Sequence, residues 1–256
     1  MSRAAAGDGA ERAAWLRLAL TDGLGRAAAR RLLAAFGGPE AALQAGPAGW
    51  RQVLGPDQSR VLDGAPSDEV AERIDASLAW LAQDGGSSPR HLLTLGDPAY
   101  PAALLQTPDP PLLLFAQGDL ARLQGPALAI VGSRNPTAQG LDNARAFARA
   151  LADAGLTVVS GLALGIDGAA HDGAVDGAAG TVAVVGTGLD RVYPARHRTL
   201  AHRIAVRGLL LSEFPPGTPP LQVNFPMRNR IIAGLGAGTP GVAAALRSGS
   251  LVTARL

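Results

Sequence analysis

The chain has 256 residues, 47% of them hydrophobic, so it can bury the core of one large domain or of two smaller ones. It contains no cysteine, which excludes disulfides and thiolate metal sites, and its four histidines are scattered, so we expect no metal site. It has neither an apolar run long enough to span a membrane nor the hydrophobic region of a signal peptide. We therefore expect a cytoplasmic protein with no membrane segment.

The net charge of +2 is distributed unevenly along the chain. Residues 1–90 contain ten arginines and eleven acidic residues, whereas residues 191–256 contain nine arginines and a single acid, Glu213. This concentration of positive charge near one end predicts attraction for a polyanion. Every basic residue other than histidine is arginine, which binds phosphate in bidentate fashion and stacks on bases.

The first 86 residues predict a small helical domain. Helices are predicted from Glu11, over Arg26–Phe36, Glu40–Ala45, Gln52–Leu62 and Ser67–Gln83. The turn Gly23-Leu24-Gly25 between the first two helices is similar to that of a helix-hairpin-helix unit, whose turn amides can contact a nucleic-acid backbone. Because the motif is short, we favour a plain helical bundle. Gly85–Pro89 reads as a linker, so we place a domain boundary near residue 86.

Residues 87–256 predict an α/β domain with a doubly wound parallel sheet. Short apolar runs alternate with helical segments, as is typical of parallel strands covered on both faces. The predicted strands are His91–Leu95, Leu112–Phe115, Leu128–Val131, Thr157–Val159, Thr181–Val185 and Leu209–Leu211. The predicted helices are Thr137–Ala154, Asp167–Ala178, Ala195–Val206 and Met227–Leu235.

Two glycine-containing turns follow neighbouring strands and predict an anion site. The first contains Gly132, Ser133, Arg134 and Thr137, and the second runs over 160–165, including Ser160, Gly161 and Gly165. Each turn leads into a helix, whose free N–H groups and partial positive charge favour a phosphate. The alternative is that βα turns need small residues for packing, with Thr137 capping its helix. Because the turns occur as a pair together with Arg134, we favour the phosphate site.

A second cluster surrounds Phe225. The neighbouring Arg228, Asn229 and Arg230 could bind phosphates while bases stack on the ring, so this segment suits single-stranded nucleic acid. Alternatively, Phe225 is a core anchor and the arginines form surface ion pairs. The turn Ser248-Gly249-Ser250 is a further candidate phosphate contact.

An enzymatic site is less well supported by the residues. Asp167 and His171 share a helix face and could form an acid–base pair, but no nucleophile is near in sequence. We favour structural roles, with Asp167 capping a helix and His171 closing a hydrogen bond. The chain lacks a Walker motif and the dinucleotide spacing G-x-G-x-x-G, so we expect no nucleotide cofactor.

Taken together, these motifs closely resemble the bacterial DNA-processing protein A family, also written DprA or Smf. The matching stretches occur in family order: GSR (132–134) with Thr137, SGLALGIDGAAH (160–171), VVGTGLDRVYP (184–194), SEFPPGT (212–218), FPMRNRIIAGL (225–235) and ALRSGSLVTA (245–254). They cover residues 91–256, and the N-terminal helices resemble the sterile-alpha-motif-like domain of that family.

The resemblance implies an extended Rossmann-like fold and a protein that is not an enzyme. Members bind single-stranded DNA, form homodimers and help to load RecA onto DNA taken up in natural transformation. Carried over to this sequence, the DNA contacts are Arg134, Phe225, Arg228–Arg230 and Ser248–Ser250, while Asp167 and Asn229 shape the pocket.

The chain departs from the family pattern near its C-terminal end. Pro240 and Gly241 stand where members have a hydrophobic strand ending in an acid, and Pro cannot donate to a strand ladder. A last strand and a winged helix are also missing. We therefore expect a truncated or degenerate copy, for which dimerisation and RecA loading are less well supported than DNA binding, with a non-functional remnant as one alternative. A phosphoribohydrolase-like enzyme on the same fold is the other, although GAGTPGVAAA (236–245) has alanine where those enzymes need a glutamate.

Overall fold

The computed structural model describes residues 3–236 and 241–242, with side chains from residue 9 to 236. Contacts divide the chain into two compact units. One consists of Met1–Gln83 and Pro111–Leu113, and the other of Asp84–Pro110 and Leu114–Leu256. Within the described residues, no helix combines the length and the apolar character that crossing a lipid bilayer requires.

The first unit is helical, as the sequence predicts. Its helices are α1 (Arg3–Leu20), α2 (Gly25–Phe36), α3 (Pro39–Gln44), α4 (Gly46–Leu54), α5 (Pro56–Ser59) and α6 (Asp68–Ala82), with a 3₁₀ turn at Arg60–Leu62. Leu16 and Leu32 are fully buried, and the indole of Trp50 donates to the carbonyl of Ala42 at 2.6 Å. Ser67 caps α6 by accepting from the Val70 amide.

The single helix predicted over Gln52–Leu62 is wrong. Gly55 adopts a left-handed φ of 84° and ends α4, and Pro56 begins α5. A glycine that ends one helix beside a proline suited to the first turn of the next breaks the segment into short pieces.

The second unit contains two sheets. Its strands are β1 (Arg90–Thr94), β2 (Leu113–Gly118), β3 (Ala127–Ala129), β4 (Val131–Gly132), β5 (Thr157–Ser160), β6 (Thr181–Val184), β7 (Leu209–Ser212) and β8 (Gly241–Val242). Six of them form a sheet in the order β1-β2-β7-β6-β5-β3, while β4 and β8 pair separately and parallel to each other. The strand predicted over Leu128–Val131 is thus divided between two sheets. The segment 239–243 differs from the family pattern in sequence. Of its residues, the structure describes only Gly241 and Val242, which form β8.

The α/β doubly wound architecture is confirmed, but the main sheet is mixed. The neighbouring strands β3, β5, β6 and β7 run parallel, whereas β2 runs antiparallel to β7. The parallel arrangement predicted for the strands from Leu128 onwards is therefore confirmed, and β2, whose direction the sequence does not predict, adds an antiparallel strand. An apolar run buried on both faces reads the same in either direction, so its composition does not show its direction.

Helices cover both faces of the main sheet. They are α7 (Ala102–Leu105), α8 (Ala138–Asp153), α9 (Ile166–Ala174), α10 (Arg198–Arg207) and α11 (Asn224–Leu235), with 3₁₀ turns at Leu120–Leu123 and Ala195–His197. On one face, α7 and α11 pack on Val159 and its neighbours, and on the other, α8 and α9 pack on Val158. Consecutive residues of β5 therefore face opposite helix layers. The ends of the strands lie between these two layers and form an open edge of the sheet.

Small residues allow α8 and α9 to approach closely. Ala144, Ala148 and Ala152 are fully buried on α8, and α9 presents Ala170 and Gly173. A Cβ placed on Gly173 would overlap the carbonyl oxygen of Arg145 on α8. The position therefore requires glycine for packing, and this contact sets how closely the end of α9 approaches the middle of α8.

We expect Gly173→Ala to lower the free energy of unfolding by about 1–3 kcal/mol, because the added methyl must push backbone apart. Urea denaturation measures the change. Gly125→Ala is the matched control, since a Cβ there meets nothing within 4 Å. Equal stabilities for the two variants would contradict the close-packing account.

Candidate nucleic-acid interface

A pocket opens where β5 and β6 end, at the carboxyl edge of the main sheet. It brings together the turn after β4, the turn after β5, the loop after β6 and the first turns of α11. Its lining residues are Arg134, Gly161, Ala163, Leu164, Val185, Gly186, Thr187, Tyr193, Pro194, Phe225 and Arg228. In doubly wound proteins, ligands bind at this edge of the sheet.

Arg134 and Phe225 form the outer part of the pocket. The guanidinium carbon of Arg134 lies 5.8 Å from the centroid of the Phe225 ring, within the range of a cation–π contact. Arg134 is exposed and Phe225 is half-buried. An exposed cation beside an accessible ring can bind a phosphate and a base at the same time.

Tyr193 is a second aromatic residue in this pocket, and the site prediction from sequence missed it. Its ring centroid lies 5.7 Å from that of Phe225, with the planes tilted by 34°, and the residue is 49% exposed. The signal that could have found it is its place in the loop after β6, because loops at the carboxyl edge converge on one site.

The two predicted glycine turns lie against each other. The amide of Ile166, at the start of α9, donates to the Ser133 carbonyl at 3.1 Å. Gly165 has a φ of 84°, and a Cβ there would overlap the same carbonyl oxygen. The second turn thus supports the backbone from which Arg134 projects.

Several of the predicted contact residues make structural hydrogen bonds. Ser133 Oγ accepts from the Asn135 amide at 3.1 Å, and Thr137 caps α8 by accepting from the Gly140 amide. Ser160 is buried and donates to the Ile130 carbonyl at 2.6 Å, while Gly132 belongs to β4. These residues therefore stabilise the turns. For Thr137, this is the helix-capping role given above as the alternative to phosphate binding.

Arg228 is buried at the base of the pocket and is only 5% exposed. Its Nη1 donates to the carbonyls of Gly161 and Val184, so one guanidinium joins the ends of β5 and β6. Burial lowers the pKa of Arg228; the negative charge of Asp167 opposes this effect, and the positive charge of Arg134 adds to it.

Asp167 lies beneath the same turn and is 6% exposed. Burial raises the pKa of its carboxyl group, and the charge of Arg228 together with backbone donors opposes the rise. Its Oδ2 accepts from the Gly161 amide at 3.2 Å. The expectation that Asp167 caps the helix is wrong, because Gly165 occupies the N-cap position of α9 and Asp167 is bonded to the preceding turn.

The structural role favoured for His171 is confirmed. The ring is fully buried, Nε2 accepts from the Leu162 amide at 3.2 Å, and Nδ1 lies 2.7 Å from the Thr181 hydroxyl. Burial, together with the positive charges of His197 and Arg228, lowers the pKa of His171 to about 3. The imidazole is therefore neutral at physiological pH.

The remaining predicted residues on α11 lie outside the pocket lining. Arg230 forms an ion pair with Glu213 and donates to the Asp109 carbonyl at 3.1 Å. The alternative interpretation, in which the arginines form ion pairs, is therefore the one that describes Arg230. Asn229 Oδ1 accepts from Nε of Arg228 at 3.0 Å. The predicted contacts Ser248, Gly249 and Ser250 lie outside the described residues.

The arginines near the C-terminal end differ in how much positive charge they expose. On α10, Arg203 and Arg207 pair with Asp176, and Arg203 also pairs with Asp172. Arg196 and Arg198, just beyond Pro194 of the pocket, are exposed. Arg196 and Arg198 therefore expose positive charge in the segment of the chain that follows Tyr193 and Pro194.

This fold and site define a doubly wound α/β protein whose pocket combines a cation with aromatic rings. The family model described as DNA recombination-mediator protein A matches residues 91–256, and that of a DprA-like N-terminal HHH domain matches residues 9–73. The chain belongs to the DNA recombination-mediator protein A family, and the resemblance found in the sequence is confirmed.

Curated relatives include Protein Smf of Escherichia coli, 48% identical over 183 residues, which are 71% of this chain and 48% of that protein. Protein Smf of Synechocystis is 37% identical over 249 residues, 96% of this chain and 61% of that protein. The chain thus spans about half to three-fifths of the length of these relatives.

Solved structures of two relatives share the fold. DNA processing protein A of Streptococcus pneumoniae has a TM-score of 0.64 and 36% identity, covering 83% of this chain and 76% of that one. The Helicobacter pylori protein has a TM-score of 0.59 and 34% identity, covering 64% and 75%, and its structure concerns the single-stranded DNA binding mode of that protein.

The buried imidazole of His171 predicts a pH-dependent stability. Below about pH 6.5 the unfolded chain protonates this histidine, whereas the folded chain does so only near pH 3, so stability falls as the pH is lowered between these values. In His171→Gln, we expect the free energy of unfolding to depend less steeply on pH in this range, with a slope smaller than that of the wild type by up to about 1.4 kcal/mol per pH unit. Urea denaturation at a series of pH values measures it.

His202→Gln is the control, because His202 is exposed. The raised pKa of Asp167 acts in the opposite direction, but Asp167 is present in all three proteins, so comparing their slopes isolates His171. Identical slopes in the wild type and His171→Gln would contradict the account.

Proposed function

We propose that this chain binds single-stranded DNA at the pocket formed by Arg134, Tyr193 and Phe225. The observation that carries the proposal is the Arg134 guanidinium 5.8 Å from the Phe225 ring at the open carboxyl edge of the sheet. An unpaired base stacks on Phe225, and Arg134 binds a phosphate next to that base.

The chemistry of the pocket favours a single strand over a duplex. Stacking on an aromatic residue contributes about 1–3 kcal/mol per base and tolerates any sequence, but the base must leave its pair to expose a face. Phe225 is half-buried within the pocket, so a base must enter the cavity to reach it.

Family membership supports a wider role in processing incoming DNA. The chain acts in DNA recombination during natural transformation, protects single strands in the cytoplasm, forms a homodimer and helps to load RecA. These parts of the proposal rest on the match over residues 91–256 and on relatives called DNA processing protein DprA.

The chain acts by binding and not by catalysis. No aspartate or glutamate is among the pocket-lining residues in the described part of the chain. Asp167, the acid beneath the pocket, is buried and bonded to the Gly161 amide, so it is poorly placed to act as the carboxylate of glycosidic cleavage. This supports the binding role over the phosphoribohydrolase alternative.

Replacing Arg134 by alanine tests the site. We expect about tenfold or more weaker binding of a fluorescent oligonucleotide, because a charge-assisted contact contributes about 1.5–3 kcal/mol. The magnitude of the log–log slope of affinity against salt should fall by about 0.7 for each phosphate that the variant no longer neutralises. Fluorescence anisotropy across a series of salt concentrations gives both quantities.

Arg149→Ala is the matched control. It removes the same charge from the far end of α8, where Arg149 pairs with Asp153 at 2.7 Å. Arg149→Ala should keep wild-type affinity and slope. If Arg134→Ala behaves like Arg149→Ala, the proposed site is wrong.

Incubation with AMP tests the enzymatic alternative. Because the pocket lining lacks a carboxylate among the described residues, we expect no release of adenine above a heat-inactivated control in chromatographic assays. Adenine released in proportion to protein concentration would instead support a phosphoribohydrolase.

A further inference from the structure

The sequence predicts Arg228 as a phosphate contact, but its surroundings differ from those of Arg134. Arg134 is exposed beside the Phe225 ring, whereas Arg228 is 5% exposed at the base of the pocket. Its Nη1 and Nε already donate to three protein oxygens, those of Gly161, Val184 and Asn229. An incoming phosphate would have to compete with these bonds in a buried place.

The turn after β5 is shaped around this guanidinium. A Cβ on Gly161 would overlap Nη1, Cζ and Nη2 of Arg228, so glycine is what lets the side chain reach the strand ends. The amide of Gly161 is held on its other side by Asp167. The buried carboxylate and guanidinium therefore attract each other across the Gly161 backbone, and both fix its position.

The same helix carries the ring that stacks in the pocket. Phe225 lies three residues before Arg228 on α11, about one helical turn away. Asn224 donates to the Gly186 carbonyl at 3.0 Å, and a Cβ on Gly186 would lie 3.2 Å from the ring of Phe225. The start of α11 is thus fixed to the end of β6 by Asn224 and to the ends of β5 and β6 by Arg228.

We propose that Arg228 is a positioning residue, which holds α11 so that Phe225 meets the base, and that it contacts no phosphate. This inference rests on the proposed binding of single-stranded DNA at the same pocket. The two arginines of the pocket then have different roles: Arg134 binds DNA directly, and Arg228 acts through Phe225.

Salt dependence and a double-mutant cycle separate these roles. Arg228→Gln should weaken oligonucleotide binding about tenfold while leaving the salt slope at the wild-type value, since the variant neutralises as many phosphates as the wild type. In a Phe225→Ala background the same substitution should have little further effect, because the ring through which Arg228 acts is gone. Arg149→Gln serves as the control in both backgrounds.

Gly161→Ala provides a second variant, which keeps the charge of Arg228 and displaces its side chain from the strand ends. It should reproduce the loss of affinity with an unchanged slope, and it decides the question if Arg228→Gln does not give a folded protein by circular dichroism. A slope lowered by about 0.7 in either variant, or a loss undiminished by Phe225→Ala, would overturn the positioning role.

The two proposals fail in different ways. If the wild type shows no salt-dependent binding of the oligonucleotide, the proposed function is wrong and the positioning role with it. If the wild type binds and Arg134→Ala lowers the slope, but Arg228→Gln lowers it equally, the function stands and only the positioning role is overturned.

Discussion

The pocket depends on a buried guanidinium that joins the ends of two neighbouring strands. Hydrogen bonds from Arg228 to the carbonyls of Gly161 and Val184 connect α11 to the edge of the sheet. Carbonyls at strand ends that no longer pair in the ladder need partners when buried, and a guanidinium has donors enough for both. The buried charge is costly by itself, and attraction to Asp167 offsets part of that cost.

The arginines of this domain fall into two groups. Some form ion pairs with acidic residues, and others, such as Arg134, are exposed at the pocket. Arg203, Arg207 and Arg230 have acidic partners, so they contribute little to the field at the pocket. Arg134 projects from a turn whose backbone is held by Gly165 and Ile166. A rigid turn keeps a cation in place before the ligand arrives, which reduces the ordering cost of binding.

Local patterns in the sequence predict much of this architecture. The alternation of apolar runs and helical segments gives the doubly wound fold, because buried strands and amphipathic helices differ in period. The paired glycine turns with Arg134 are also predictable, since the carboxyl ends of parallel strands meet at one edge. The motif FPMRNRIIAG likewise indicates the family from the sequence alone.

Other features depend on contacts between residues distant in sequence. The direction of β2 is set by its partner β7, and its apolar run reads alike both ways. Arg228 and Arg230 look equivalent in sequence, yet one reaches the ends of β5 and β6 and the other reaches Glu213. The loop after β6 also brings Tyr193 against Phe225, a pairing of two residues far apart in the chain.

In the proposed binding mode, an unpaired base lies against the aromatic rings of this pocket. Photo-crosslinking with an oligonucleotide that carries 5-iodouracil, followed by peptide mass spectrometry, tests it most directly. We expect crosslinks at Phe225 and Tyr193 that disappear when unlabelled single-stranded DNA competes and persist in the presence of duplex. Crosslinks confined to residues outside the pocket would contradict it.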